Sequence, residues 1–216
     1  MLEQDTYKDK GARRQLVNEL REKGIIDEKV LAAIHRIPRH QFIHKDFRSH
    51  AYLDKAFPIG EGQTISQPYT VAFQTQLLHI EKGDKILEIG TGSGYQAAVL
   101  IEMGAELTSI ERQEKLYHKT SKLLKAMQYE AALILGDGSK GYEANGPYDK
   151  IIVTAGAPRV PESLLQQLKV GGILIIPVGD SKVQNMHTLI KKTDGSIENI
   201  TLSQFRFVPL IGNQAW

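Results

Sequence analysis

Leu87-Glu88-Ile89-Gly90-Thr91-Gly92-Ser93-Gly94-Tyr95 joins an apolar run to three alternating glycines and then to a helical stretch, Tyr95–Met103. A buried strand that turns on glycines into a helix lets main chain approach a ligand closely, because glycine adopts backbone angles other residues avoid. In a doubly wound sheet such a turn lies at the carboxyl edge of a strand, where ligands bind. Short apolar runs recur around it at Lys85–Ile89, Leu107–Ile110, Ala131–Leu135, Lys150–Thr154 and Gly172–Val178. Helical stretches at Gln113–Met127 and Pro161–Leu168 separate later runs and are long enough for parallel crossovers. The fold class expected is therefore α/β, a doubly wound, mostly parallel, Rossmann-like sheet.

The pattern changes at both ends. After Val178 only Gly179-Asp180-Ser181-Lys182 precedes the strand-like Val183–Lys192, too short for a crossover, so the C-terminal strands should be antiparallel. Asp194-Gly195 marks a further turn before a last strand-like segment, Ile197–Leu210. At the N-terminus, Leu16, Val17 and Leu20 share one face of a helix ended by Gly24, and Asp27 caps a second that stops near Pro38. A third helix should start at Ser66-Gln67-Pro68, with Ser66 as its cap. We expect one domain over 1–216: a helical N-terminal cap over 1–60 and a cofactor-binding core with a C-terminal substrate strand over 61–216.

Composition narrows the classes. With 41% hydrophobic and 24% charged residues and no long apolar stretch, the chain reads as a globular cytoplasmic protein with no membrane partner. A net charge of +2 gives no reason to expect nucleic acid, and the absence of cysteine excludes disulfides and thiolate chemistry. Seven histidines are present without ligand spacing, so no metal is expected.

Two cofactor classes compete for the glycine turn. A dinucleotide fingerprint needs a third glycine or alanine where Tyr95 stands, and the shifted match Gly92-Ser93-Gly94-Tyr95-Gln96-Ala97 begins two residues late. Glu88 would repel a pyrophosphate, whereas S-adenosylmethionine carries a sulfonium and an ammonium and no phosphate. A basic neighbour pairing with Glu88 is the plainer alternative. Glu111 follows the second strand at the spacing of an acid that holds ribose hydroxyls, and Asp137 follows the third, where it could accept from an adenine amino group beside the Gly138 amide. Each alone is equally an ordinary helix-start or turn residue. Together they favour an adenosine pocket.

Glu88-Ile89-Gly90-Thr91-Gly92-Ser93-Gly94 with Glu111 and Asp137 resembles the class I methyltransferase superfamily. The flanking segments Gly62-Gln63-Thr64-Ile65-Ser66-Gln67-Pro68, Ala155-Gly156-Ala157-Pro158-Arg159-Val160-Pro161 and Phe207-Val208-Pro209-Leu210 resemble, within it, the protein-L-isoaspartate O-methyltransferases, over nearly the whole chain. The resemblance implies S-adenosyl-L-methionine as cofactor, held by Thr64, Ile65, Glu88, Gly90, Thr91, Gly92, Gly94, Glu111, Asp137 and Gly138. It implies Ser66 as active-site serine and substrate contact, and Val208 in the segment whose backbone holds the substrate. It also implies a changed order or direction of the final strands. Some relatives carry a histidine soon after the proline of the serine motif, where this chain has Tyr69, Thr70 and Val71, and some a threonine where it has Ile211. Neither role is carried over.

The implied partners are damaged proteins and peptides containing L-isoaspartyl residues, met by a monomer. Methylating the free α-carboxylate would initiate their repair. Such an acceptor is already ionised near neutrality, so catalysis needs positioning and desolvation rather than a base. Ser66 then serves as a hydrogen-bond donor, a helix cap or both. The rival readings are another methyltransferase, acting on nucleic acid or a small molecule, and a nonenzymatic adenosine-binding module. The segment Thr154-Ala155-Gly156-Ala157-Pro158 lacks the Pro-Pro-aromatic pattern of base amino-methyltransferases.

Overall fold

The computed structural model describes residues 2–216. Two helices open the chain. α1 (Tyr7–Glu22) is started by a capping box in which Thr6 and Asp9 satisfy each other's backbone amides, and α2 (Glu28–Arg36) by the Asp27 side chain, which accepts from the Lys29 and Val30 amides. Gly24 has a φ of +93°, so the turn between the helices closes without side-chain strain. α2 stops one residue short of Ile37, whose extended backbone is what Pro38 demands of its predecessor.

Sequence reasoning missed a hairpin of β1 (Phe57–Gly60) and β2 (Gln63–Ile65). The division expected near Gly60 falls at the end of its first strand. α3 (Pro68–Leu77) follows with Gln67, not Ser66, as its cap residue and no side-chain cap bond. Pro68 sets the first helical position and forces Gln67 extended, which moves the helix start one residue beyond the serine.

The core then alternates as expected: β3 (Lys85–Ile89), α4 (Tyr95–Glu102), β4 (Glu106–Glu111), α5 (Glu114–Ala126), β5 (Ala132–Leu135), β6 (Tyr148–Val153), α6 (Glu162–Gln167), β7 (Leu168–Gly179), β8 (Gln184–Lys191) and β9 (Ile197–Phe205). The seven-stranded sheet has the order β5-β4-β3-β6-β7-β8-β9. Pairs up to β6 with β7 are parallel, and β7 with β8 and β8 with β9 are antiparallel hairpin neighbours. The last strand ends earlier than the sequence suggested, at Phe205. Beyond it Pro209 forms an isolated parallel bridge to Gly156.

Alternation along the strands sorts the apolar residues onto the two sheet faces. Ile86, Ile152 and Ile175 join one buried cluster with Leu20 and Ile34 of the N-terminal helices and Tyr95 of α4. Leu87, Ile89, Ile151, Leu174 and Leu210 form the other. The first two helices thus complete the core of one face, where truncating a buried Leu to Ala costs about 2–5 kcal/mol. Near the N-terminus, Asp5 pairs with Arg13 and Asp9 with Arg48, and His40 Nδ1 meets the Tyr52 hydroxyl at 2.7 Å. Ligand atoms of Asp5, Asp9 and His40 lie within 4.8 Å of one another, but both carboxylates are neutralised by arginine.

Strand order reverses between β3 and β6, since β4 and β5 lie to one side of β3 and the later strands to the other. The cleft opens at this switch point, at the carboxyl edge of the strands.

Candidate active site

The glycine turn leaves β3 and is held against the neighbouring strand. Gly90 and Thr91 donate to Ile110 O at 2.9 and 3.2 Å, and Thr120 Oγ1 donates to Gly92 O at 2.6 Å. Gly90, Gly92 and Gly94 have φ of +96°, +53° and +85°. A Cβ on Gly90 would lie 2.6 Å from Thr154 Oγ1, and one on Gly94 2.7 Å from Thr120 Cγ2. Both conformation and close packing therefore require glycine.

One cleft runs along this turn. Its walls include Thr64, Ile65 and Ser66 from the segment after β1, Gly90 to Ser93 from the turn, Glu111 from the end of β4, Gly138 beyond β5, and Val208 to Ile211. Residues far apart in sequence are thus brought to one place. Sequence reasoning had passed over Gln63, Gln96, Arg112, Thr154 and Ala155, which also line it. The position of Thr154 directly after β6, at the point where strand order reverses, was the available signal.

Glu111 is buried and uses both oxygens: Oε2 accepts from the Gly92 amide at 2.7 Å and Oε1 from the Gln113 amide at 2.8 Å. The carboxylate locks the glycine turn to β4 while bordering the cleft. Each oxygen has further lone-pair capacity for a ligand hydroxyl.

The other two acids behave differently. Glu88 is fully buried in β3, on the face shared with Ile86, and does not line the cleft. Its Oε2 accepts from Ser109 Oγ at 2.5 Å, Ser109 Oγ meets Thr91 Oγ1 at 2.6 Å, and Oε1 has no partner. Burial pushes this carboxyl up to about 8, against the Ser109 bond, and the nearby Glu111 charge pushes the same way. Glu88 is therefore mainly protonated at neutral pH. Neither a charge facing the cofactor nor a basic partner describes it; it braces the glycine turn from beneath through Ser109 and Thr91.

Asp137 turns toward the C-terminal tail. Its Oδ1 accepts from the Ser139 amide and hydroxyl at 3.0 and 2.7 Å, and its Oδ2 from the Asn213 amide at 2.9 Å. Burial pushes the carboxyl up, but the bonds from Asn213 and Ser139 outweigh it and hold the group below its usual value. Gly138, next to it, does line the cleft and must be glycine, since a Cβ would come 2.4 Å from Ile89 Cγ2. Of the three expected acids, Glu111 alone borders the cleft.

Ser66 also borders the cleft. Its hydroxyl is not used in capping α3, and among the described residues it has no hydrogen-bond partner. On the C-terminal wall, Val208 O accepts from the Gly156 amide at 2.8 Å and the Leu210 amide donates to Gly156 O at 2.7 Å. The Phe207 amide donates to Gln184 Oε1 at 2.8 Å. These bonds fix residues 207–210 as extended main chain, and the Val208 amide has no acceptor among the described residues. Arg112 Nη1 donates to Ile211 O at 3.0 Å, linking the end of β4 to this wall.

Known proteins resemble this chain in sequence and fold. The family model described as protein-L-isoaspartate(D-aspartate) O-methyltransferase (PCMT) matches residues 11–215. The chain belongs to this family. A relative named protein-L-isoaspartate O-methyltransferase from Cytophaga hutchinsonii is 57% identical over 213 residues, covering 99% of this chain and 96% of its own. One of the same name from Christiangramia forsetii is 58% identical over 208 residues, covering 96% and 97%. A solved structure titled protein-L-isoaspartate O-methyltransferase superposes with a TM-score of 0.85 at 31% identity, over 94% of this chain and 67% of that one. Another, from Plasmodium falciparum in complex with S-adenosyl-L-homocysteine, gives 0.80 at 26% identity over 93% and 99%. Family membership makes the chain an S-adenosylmethionine-dependent methyltransferase.

Proposed function

We propose that this chain transfers a methyl group from S-adenosylmethionine to the free α-carboxylate of L-isoaspartyl residues in damaged proteins, starting their repair. The observation that carries the reading is that Glu111 and the glycine turn line the same cleft as Ser66 and Val208, whose hydroxyl and amide are unpartnered among the described residues.

The cofactor fits the residues present. Gly90 and Gly92 present main chain to the cleft, while Gly94, expected beside them, lies outside its lining and lets the turn pack on Thr120 and Leu124. Glu111 offers acceptors for ribose hydroxyls, and the Gly138 amide, with Thr64 and Ile65, completes the pocket. Thr91 contributes main chain, its hydroxyl being engaged with Ser109. When bound, S-adenosylmethionine supplies an electrophilic methyl group on a sulfonium.

The protein's part is positioning. An α-carboxylate is ionised at neutral pH, so no side chain has to remove a proton. The Ser66 hydroxyl donates to one carboxylate oxygen and leaves the other for attack, and the Val208 amide donates to the peptide main chain. Enclosure between these walls strips water from a weak nucleophile, and orientation alone supplies up to roughly 7–11 kcal/mol. Recognition through main chain suits a substrate defined by its kinked backbone rather than by a side chain.

The chain is proposed to act as a monomer in the cytoplasm, without nucleic-acid or membrane partners. Among the described residues no helix is long and apolar enough to cross a membrane, and the net charge is only +2. Sedimentation of the purified protein tests the monomer. The activity is tested with labelled S-adenosylmethionine and matched aspartyl and isoaspartyl peptides. Label appearing only on the isoaspartyl peptide as a base-labile ester supports the reading; equal labelling of both, or none, refutes it.

A further inference from the structure

Arg39 is fully buried, and its nitrogens make no ion pair with any carboxylate among the described residues. Nη1 donates to Ala51 O at 2.6 Å, and Nη2 donates to Lys55 O at 3.2 Å and Ser66 O at 3.0 Å. Nε has no partner. The guanidinium lies 5.9 Å from the ring centre of Phe57 in β1 and 5.4 Å from that of Tyr95, the first residue of α4. A buried cation left without a counter-ion is costly, and carbonyl bonds offset only part of that. Its location is informative: Ser66 and Tyr95 both line the cleft, so the charge sits directly behind the wall that would receive the acceptor carboxylate.

We propose that Arg39 is a positioning residue for methyl transfer, fixing Ser66 through its carbonyl and supplying the positive field of a cation held in no direct ion pair, which favours a carboxylate over a neutral acceptor. The inference rests on the acceptor reading given above. Burial pulls the guanidinium down to about 10, while Tyr95, Asp54 and Tyr52, the ionisable groups facing it, favour the charged form. It remains a cation at neutral pH. Asp54 does not neutralise it, being paired with Lys23 at 2.7 Å and accepting from the Tyr69 amide. The three carbonyls hold Ala51, Lys55 and Ser66, on either side of the β1–β2 hairpin, to the guanidinium, which itself lies against the Tyr95 ring at the start of α4, so Arg39 links the serine wall to the element that follows the glycine turn.

The test compares dissociation constants for an isoaspartyl peptide and for the same peptide with its α-carboxyl replaced by a carboxamide. Both are measured on protein saturated with S-adenosylhomocysteine. In Arg39→Gln, which removes the charge and keeps a donor, the preference for the carboxylate peptide should fall by about tenfold, the order expected for one charge acting through a partly screened interior. Arg39→Lys should keep that preference to within about twofold while losing turnover, because a compact ammonium does not span carbonyls that two separate guanidinium nitrogens reach. Carboxamide binding should stay within about threefold of wild type in both variants, since it senses no charge. An unchanged preference in Arg39→Gln, or its equal loss in Arg39→Lys, overturns the proposal. If Arg39→Gln does not fold, Arg39→Lys still decides through its retention or loss of preference. Failure of the wild-type protein to methylate isoaspartyl peptide would instead count against the proposed activity, independently of Arg39.

Discussion

Replacing Glu111 by Gln isolates the acid that the structure places at the cleft wall. The carboxylate accepts from the Gly92 amide at 2.7 Å and the Gln113 amide at 2.8 Å. Gln retains one acceptor oxygen, so its NH2 must confront one of these two N–H groups. The substitution thus removes one charge-assisted bond, worth about 1.5–3 kcal/mol, and leaves a buried donor facing another donor. Part of the loss falls on the ligand-free protein, by loosening the glycine turn, and part on any hydroxyl the carboxylate binds. If about 1.4–2.8 kcal/mol falls on binding, affinity for S-adenosylhomocysteine drops by about 10–100-fold. Calorimetric titration measures that drop, and a thermal melt without ligand separates the structural share. A dissociation constant within twofold of wild type would remove Glu111 from the cofactor site and leave it only a brace for the turn.

Ser66→Ala should lower kcat/KM for isoaspartyl peptide by about 10–100-fold, the value of one hydrogen bond to a charged group, with S-adenosylhomocysteine affinity unchanged; a fall confined to cofactor affinity would contradict the assigned role. Glu88 is protonated in the fold up to about pH 8 but ionises near 4.5 when unfolded. Its contribution to stability is therefore complete below about pH 4.5 and declines as pH rises toward 8. Denaturant unfolding should show Glu88→Gln gaining on wild type across that window, by up to about 5 kcal/mol in total; a pH-independent difference would mean that Glu88 is ionised in the fold. Gly94→Ala must hold φ at +85° with its Cβ 2.7 Å from Thr120 Cγ2. It should lose about 2–4 kcal/mol of stability and most cofactor affinity, and a wild-type melting temperature would show that the turn adapts.

What the sequence determined by itself was whatever local pattern controls. Apolar periodicity and the lengths between runs were enough for every strand from Lys85 to Gly179, and the four residues Gly179–Lys182 forbade a parallel crossover before β8. The glycine turn was legible because backbone conformation with positive φ is written directly in residue type. The short hairpin Phe57–Ile65 was not legible, because two strands of four and three residues carry too little alternation to stand out. Side-chain destinations were decided only by the tertiary structure. Glu88, Glu111 and Asp137 occupy similar places after or near strand ends, yet one is buried beneath the turn, one borders the cleft and one binds the C-terminal tail. Which way an acid points depends on the donors that packing brings to it, Ser109, the Gly92 amide and the Asn213 amide, and these lie 19 to 76 residues away. The same holds for Arg39: nothing local to Pro38-Arg39 marks it, and its meaning comes from Ala51, Lys55 and Ser66 closing around one unpaired charge.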